Sequence, residues 1–257
     1  MIRTILGAVT VIALSGQAPA PAAPPPQPSC PEMGAALQRL MQNDARQRDW
    51  AQLGRYRDAN ATIGTAAAAR RVVFMGDSIT DSWQRQTDGY FARDGHVDRG
   101  ISGQTTPQML VRFRPDVIAL KPKAVVILAG TNDIAGNTGP MTDEEIEGNL
   151  QSMAELAKAN GIKVILSSIT PTSGYHTAAN GVAQTMQRPM ARITAVNDWM
   201  KKYAAANGHV YLDYFTPMLD STGVMKSELT GDDLHPNAAG YAIMAPLADA
   251  AIQRALK

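Results

Sequence analysis

Ser78 ends the run Val72-Val73-Phe74-Met75-Gly76-Asp77-Ser78, in which a short apolar stretch stops abruptly at a glycine. A hydroxyl just past a buried strand, at the first turn of the helix that follows, has backbone N–H groups pointing past it. Such a position suits a nucleophile whose adduct is an oxyanion. It also suits a serine that simply caps the helix. A nucleophilic serine needs a base, and the chain has only four histidines, His96, His176, His209 and His235. His96 and His209 fall at or near the starts of expected strands, on the wrong edge of the sheet for Ser78. His176 sits in a loop and is not excluded by position. His235 lies in Gly231-Asp232-Asp233-Leu234-His235-Pro236-Asn237, directly before a closing helical segment. Asp232, three residues ahead of it, is close enough in a turn to accept the imidazole Nδ1–H and hold the tautomer. The other ring nitrogen could then take the proton of Ser78. Asp233 could serve in place of Asp232; its simpler reading is a solvated surface carboxylate.

The elements that must bring Ser78 and His235 together follow a regular order. Val72–Met75, a short segment ending near Gly100–Gln104, Ala124–Ala129, Ile162–Ile169 and His209–Tyr214 read as strands. Thr105 or Thr106 could cap a helix starting at Pro107. Thr142-Asp143-Glu144-Glu145 is a capping box ahead of the stripe Ile146, Leu150, Met153 and Ala157, and Asn160-Gly161 ends that helix. Helices are also expected over 189–206 and 236–256. Strands alternating with helices imply a parallel sheet covered on both faces and joined by right-handed crossovers. All five strand ends then share one edge. Three of them carry small-residue turns, at Gly76-Asp77-Ser78, Gly103 and Gly130-Thr131-Asn132, and such an edge is where ligands sit.

At 257 residues the chain accommodates one large α/β domain, and a net charge of +1 with 18% charged residues makes no electrostatic case for nucleic acid. Residues 1–20 have a basic start, an apolar core at Ile5–Leu14 and the small residues Ala18-Pro19-Ala20. They read as a signal peptide, too short for a stable membrane span, with a retained N-terminal anchor as the alternative, so the protein is expected to be exported to the periplasm or medium. Residues 21–32 read as a Pro/Ala-rich tether. Residues 33–70 read as a helical extension in which Trp50 and Tyr56 are packing residues. Residues 71–257 make the catalytic domain. Cys30 is the only cysteine, so no intrachain disulfide forms. The loop Thr172–Arg188 is the longest irregular stretch near the expected active edge.

The blocks Gly76-Asp77-Ser78-Ile79-Thr80, Gly100-Ile101-Ser102-Gly103, Gly130-Thr131-Asn132-Asp133 and Asp232-Asp233-Leu234-His235-Pro236 resemble, in order and on matching elements, the four signature blocks of the SGNH (GDSL-type) hydrolases. The resemblance is to bacterial GDSL acylhydrolases related to the platelet-activating-factor acetylhydrolase subunits. It implies a flavodoxin-like three-layer α/β/α sandwich around a parallel sheet of about five strands. It implies Ser78 as nucleophile, His235 as general base and acid, and Asp232 as orienting carboxylate. The N–H groups of Ser78 and Gly103 and the amide of Asn132 would form the oxyanion hole, while Asp77 and Asp133 brace the loops. Asp77, Ile79, Thr105, Ile134, Tyr175 and Met186 are candidate substrate contacts, with His176 beside the last two. No cofactor and no metal are implied. The expected substrate is a small-molecule or carbohydrate ester with a short acyl group, and a lipid acyl ester is the alternative. A flavin or nucleotide binder using Ser102–Thr106 as a phosphate turn would leave Asp232, His235 and Asn132 unexplained, and no Walker-type lysine accompanies that turn. A non-catalytic carbohydrate-binding protein is the other rival. No G-x-S-x-G elbow surrounds Ser78.

Overall fold

The computed structural model describes residues 48–63 and 71–257, apart from 88, 93–94 and 177–180, together with residues 29, 31, 33–35, 37–38 and 41. The signal peptide expected over 1–20 lies outside the described residues, as do Cys30 and all of the 21–32 tether except residues 29 and 31. The chain divides into two units, Met1–Asp44 and Ala45–Lys257. In the first, the described residues between 31 and 41 are helical. All elements named below belong to the second.

Strands β1 (Val72–Gly76), β2 (His96–Gly100), β3 (Ala124–Leu128), β4 (Lys163–Ser167) and β5 (Val210–Leu212) make one sheet in the order β2-β1-β3-β4-β5. Every neighbouring pair is parallel. This is the flavodoxin-like order, in which the direction of winding reverses between β1 and β3 and opens a crevice at their carboxyl ends. The helices are α1 (Arg57–Thr62), α2 (Ser78–Gln86), α3 (Thr106–Asp116), α4 (Thr131–Ile134), α5 (Asp143–Ala159), α6 (Gln184–Gln187), α7 (Met190–Asn207) and α8 (Ala238–Ala255).

Alternation along the strands builds the layers. Val73, Met75, Val125, Ile127, Val164 and Leu166 share one core with Met109 and Phe113 of α3, Ile146, Leu150 and Met153 of α5, and Ile193, Val196 and Met200 of α7. Val72, Phe74, Val126, Leu128 and Ile165 share the other with Ile79 and Trp83 of α2 and Tyr241, Met244 and Ala248 of α8. Because both faces are covered, the central strands read as continuous apolar runs instead of alternating ones. Trp83 stacks on Tyr90 at 4.6 Å and on Tyr241 at 5.2 Å between centroids, joining α2 to α8.

The helical pattern expected across 33–61 is interrupted. The Asp49 carboxylate accepts the N–H groups of Leu53 at 2.7 Å and Gly54 at 2.9 Å, and Gln52 takes a left-handed φ of 54°. Local carboxylate-to-backbone bonds of this kind compete with helix formation. Residues 49–56 therefore form a string of turns, and between residues 49 and 63 only the six residues of α1 are helical.

Candidate active site

Ser78 is the first residue of α2, at the carboxyl end of β1. The cap is Asp77, whose side chain accepts the Ile79 N–H at 2.9 Å, so the Ser78 hydroxyl is left for other work. Helix α2 can start this close to the sheet only because two strand ends lack side chains. A Cβ on Gly76 would sit 2.0 Å from Thr80 Oγ1, and one on Gly100 would sit 2.2 Å from the Asp81 nitrogen. Asp77 is wholly buried, and among the described residues its Oδ2 finds no hydrogen-bond partner. Burial pushes its carboxyl up to about 6, against the Ile79 N–H and the nearby His235, which favour the charged form.

His235 approaches from the turn before α8. Its Nε2 lies 2.9 Å from Ser78 Oγ, and its Nδ1 lies 2.6 Å from Asp232 Oδ2. Asp232 Oδ1 accepts the backbone N–H groups of His235 at 2.8 Å and Leu234 at 3.1 Å. The carboxylate thus holds the turn with one oxygen and the ring with the other. Partial burial raises the Asp232 pKa, but the imidazole and the two N–H groups outweigh it and hold the carboxyl below its ordinary value. An ionised Asp232 fixes the proton on Nδ1 and leaves the Nε2 lone pair facing the hydroxyl. The Asp232 side chain is 52% exposed. Helix α8 is locked to α2, which begins at Ser78, by the Tyr241 hydroxyl, which donates to the Ile79 carbonyl at 2.7 Å.

Gly103 and Asn132 reach the same spot from the ends of β2 and β3. A pocket of about 380 Å³ is lined by Ser78, Ser82, Ser102, Gly103, Asn132, Arg188, Leu234 and His235. Gly103 has a φ of +81°, and a Cβ there would meet nothing within 4 Å. The glycine is required by backbone conformation, not by a close neighbour. The Asn132 amide spends one N–H on the Gln104 carbonyl at 3.0 Å, which fixes its plane and leaves its second N–H available at the pocket wall. Beneath this wall runs a buried polar network. Arg112 donates to Gln104 Oε1 at 2.5 Å, to the Gly76 carbonyl at 3.0 Å and to Asp116 Oδ2 at 3.1 Å. One guanidinium therefore links the residue two before Ser78 with the residue after Gly103.

Of the expected substrate contacts, none lines the pocket. Ile79 and Ile134 are buried in the two apolar cores, one on each face of the sheet. Asp77 is consumed as a cap, and Thr105 is buried in a capping box with Gln108 at the start of α3. The Tyr175 hydroxyl donates to Asp220 at 2.6 Å, and Met186 is 75% exposed away from the pocket. Asp133 accepts the Thr106 N–H and hydroxyl at 2.9 and 2.5 Å, tying the β3 turn to α3. Asp233 is not a solvated surface carboxylate. It is buried, with a φ of 66°, and accepts from Ser173 Oγ at 2.6 Å and the His176 N–H at 2.7 Å, with His176 Nδ1 2.9 Å away. Burial raises its pKa, but those donors together hold it below the ordinary range. His176 is thereby occupied in anchoring its own loop.

Arg188 was not anticipated. Nearly buried, it donates to Thr131 Oγ1 at 3.1 Å and to Gln184 Oε1 at 2.5 Å, with Asn132 Oδ1 3.5 Å away. Burial lowers its pKa, while Asp77 and Asp232 favour its charged form. The only sequence signal was its place at the end of the irregular loop.

Residues 74–243 match the model of the GDSL-like lipase/acylhydrolase family. The chain belongs to this family. A GDSL-like lipase of Bacteroides thetaiotaomicron, solved by crystallography, superposes with a TM-score of 0.73 at 41% identity, covering 80% of this chain and 99% of that one. Esterase TesA of Pseudomonas aeruginosa is 34% identical over 121 residues, 42% of this chain, and the match spans only 59% of TesA. An acetylxylan esterase of Geobacillus stearothermophilus is 27% identical over 211 residues, 69% of this chain and 91% of that enzyme. Among the described residues, no helix is long and apolar enough to cross a membrane.

Proposed function

We propose that this GDSL-like hydrolase cleaves short-acyl, chiefly acetyl, carboxylic esters by two-step acyl transfer at Ser78. The reading is carried by the hydrogen-bonded line from Ser78 Oγ through His235 to Asp232. In the first step Ser78 Oγ attacks the ester carbonyl carbon as its proton passes to His235 Nε2. The negative oxygen is met by the N–H groups of Ser78 and Gly103 and by the free N–H of Asn132. His235 returns the proton to the departing alcohol. A water molecule, deprotonated by the same nitrogen, then attacks the acyl-enzyme, releasing the acid and restoring the Ser78 hydroxyl.

The preference for a short acyl group rests on the pocket wall, where Leu234 is the sole aliphatic side chain among serines, a histidine, an amide and an arginine. Each buried methylene stabilises binding by about 0.8 kcal/mol only where apolar surface receives it. Beyond Leu234, the described lining offers a long chain no aliphatic side chain. The kinship with an acetylxylan esterase supports a carbohydrate as the alcohol. The apolar core over Ile5–Leu14 supports export.

Hydrolysis of a p-nitrophenyl ester series from acetate to palmitate, with wild type beside Ser78→Ala, tests the reading. Activity falling steeply beyond butyrate and absent in the variant is expected. A rise toward long chains would assign the protein to lipid acyl esters. Full activity in Ser78→Ala would remove the serine from the chemistry.

A further inference from the structure

A second cleft, of about 530 Å³, adjoins the pocket and shares Ser102 and Gly103 with it. Its far wall includes Trp50, Gln52, Asn137 and Thr138. Trp50 is 45% exposed, not packed inside as the sequence pattern suggested. We infer that this cleft is a subsite for a neutral saccharide on the alcohol side of the ester, with Trp50 as its stacking platform. The inference rests on Ser78 being the nucleophile, because a saccharide seated in a cleft that shares Ser102 and Gly103 with the Ser78 pocket would carry its ester toward that serine.

The cleft is built, not incidental. The Gln104 side chain donates to the Ala51 carbonyl at 2.9 Å, and the Gln108 side chain donates to the Trp50 carbonyl at 2.7 Å. Tyr56, a few residues on, donates its hydroxyl to the Gly100 carbonyl. The turn that carries Trp50 is thus clamped to the same segment that presents Gly103. Gln52 keeps its left-handed backbone at the cleft wall, an uncommon conformation for a residue with a side chain. Residues that hold uncommon backbone conformations cluster at ligand sites.

The chemistry of the wall selects the ligand. No charged side chain lines the cleft among the described residues, which disfavours phosphate, sulfate and uronate groups. Four amides and two hydroxyls line the cleft beside the one large aromatic face. A pyranose offers that combination in reverse, a C–H face for the indole and a rim of hydroxyls for the amides. An alkyl chain would cover the indole but strip water from Gln52, Asn137 and Thr138 without replacing its hydrogen bonds, which is costly. The alcohol moiety that fits is therefore a sugar residue of an acetylated oligosaccharide.

Two measurements test this, one of which needs no catalysis. Titration calorimetry of the full chain with xylotetraose and cellotetraose should show saturable binding of at least one. Trp50→Ala should weaken it at least tenfold, and Trp50→Phe should restore most of it. Gln52→Gly, which removes the amide while relaxing the backbone, should weaken it at least threefold. In parallel, the ratio of kcat/KM for acetylated xylotriose to that for ethyl acetate should fall at least tenfold in Trp50→Ala. Binding of neither saccharide, or an equal loss on both esters, would overturn the inference. A larger loss on octyl acetate than on the sugar ester would also overturn it, in favour of an alkyl leaving group. Saccharide binding without hydrolysis of any ester would sink the esterase reading and leave the subsite standing. Hydrolysis of ethyl acetate without saccharide binding would do the reverse.

Discussion

Replacing Arg112 with methionine removes one wholly buried cation while keeping side-chain length. Three acceptors lose a donor: Gln104 Oε1, the Gly76 carbonyl and Asp116 Oδ2. Asp116, only 2% exposed at its side chain, becomes a buried carboxylate held by the Asn60 amide at 2.7 Å. Removing one member of a buried ion pair costs about 3–5 kcal/mol, and each orphaned neutral acceptor about 1–3 kcal/mol. These overlap, so a loss of about 4 kcal/mol is expected. For a unit of this size that lowers Tm by about 8–16 °C. Urea unfolding of the full chain, followed by circular dichroism and tryptophan fluorescence, reads the loss. Arg112→Met combined with Asp116→Leu should recover at least half, because the stranded charge is then gone. A loss below about 1 kcal/mol in the single variant would refute the account, as would a double variant less stable than the single one. Because Gly76 lies two residues before Ser78 and Gln104 directly follows Gly103, on the proposed roles the single variant should also lower kcat at temperatures where it stays folded.

Asn132→Ala should lower kcat by about 10²–10³ with little change in KM, since the amide meets charge only as it develops; an unchanged kcat would remove it from the oxyanion hole. Asp232→Ala should lower kcat at least about tenfold less than His235→Ala, because the carboxylate is half exposed and water can take its place. Steady-state kinetics of the two variants side by side decide that order. Asp77 carries a pH signature. Its folded pKa, about 6, is raised, so its contribution to stability is complete below the unfolded value and is lost as pH rises through about 6. Asp77→Asn keeps a capping oxygen without the charge. Relative to wild type it should gain about 2 kcal/mol between pH ~4.5 and pH ~7.5, read from urea midpoints. An equal difference at both values would show that the buried carboxylate is not the source.

The layers and the Ser78–His235–Asp232 line were legible in the sequence because their signals are local. Val72–Met75 and Ala124–Ala129 are apolar without alternation, and Asp232 reaches His235 within a single turn. The errors arose where a residue's surroundings come from a distant segment. Asp233 looked solvated until the 173–176 loop folded onto it. Ile79 and Ile134 flank the motif turns, but the first steps of α2 and α4 rotate them into opposite cores. Trp50 and Arg188 reach the pocket region from segments outside the signature blocks, and no spacing rule links them to Ser78. The broken helix at 49–56 depends on Asp49 choosing backbone N–H groups over solvent. Apolar periodicity does not record that choice.

The clasp between α8 and α2 has a consequence for the timing of activity. Ser78 precedes His235 by 157 residues, and the turn bearing His235 is held in place by α8 through Tyr241 and Trp83. On the proposed roles, a chain in which α8 is not docked on α2 carries a serine whose base is not held against it, an ordinary alcohol toward any ester it meets. On those roles, competence arrives when α8 docks on α2. The same arrangement makes ester turnover a direct report on completion of the fold.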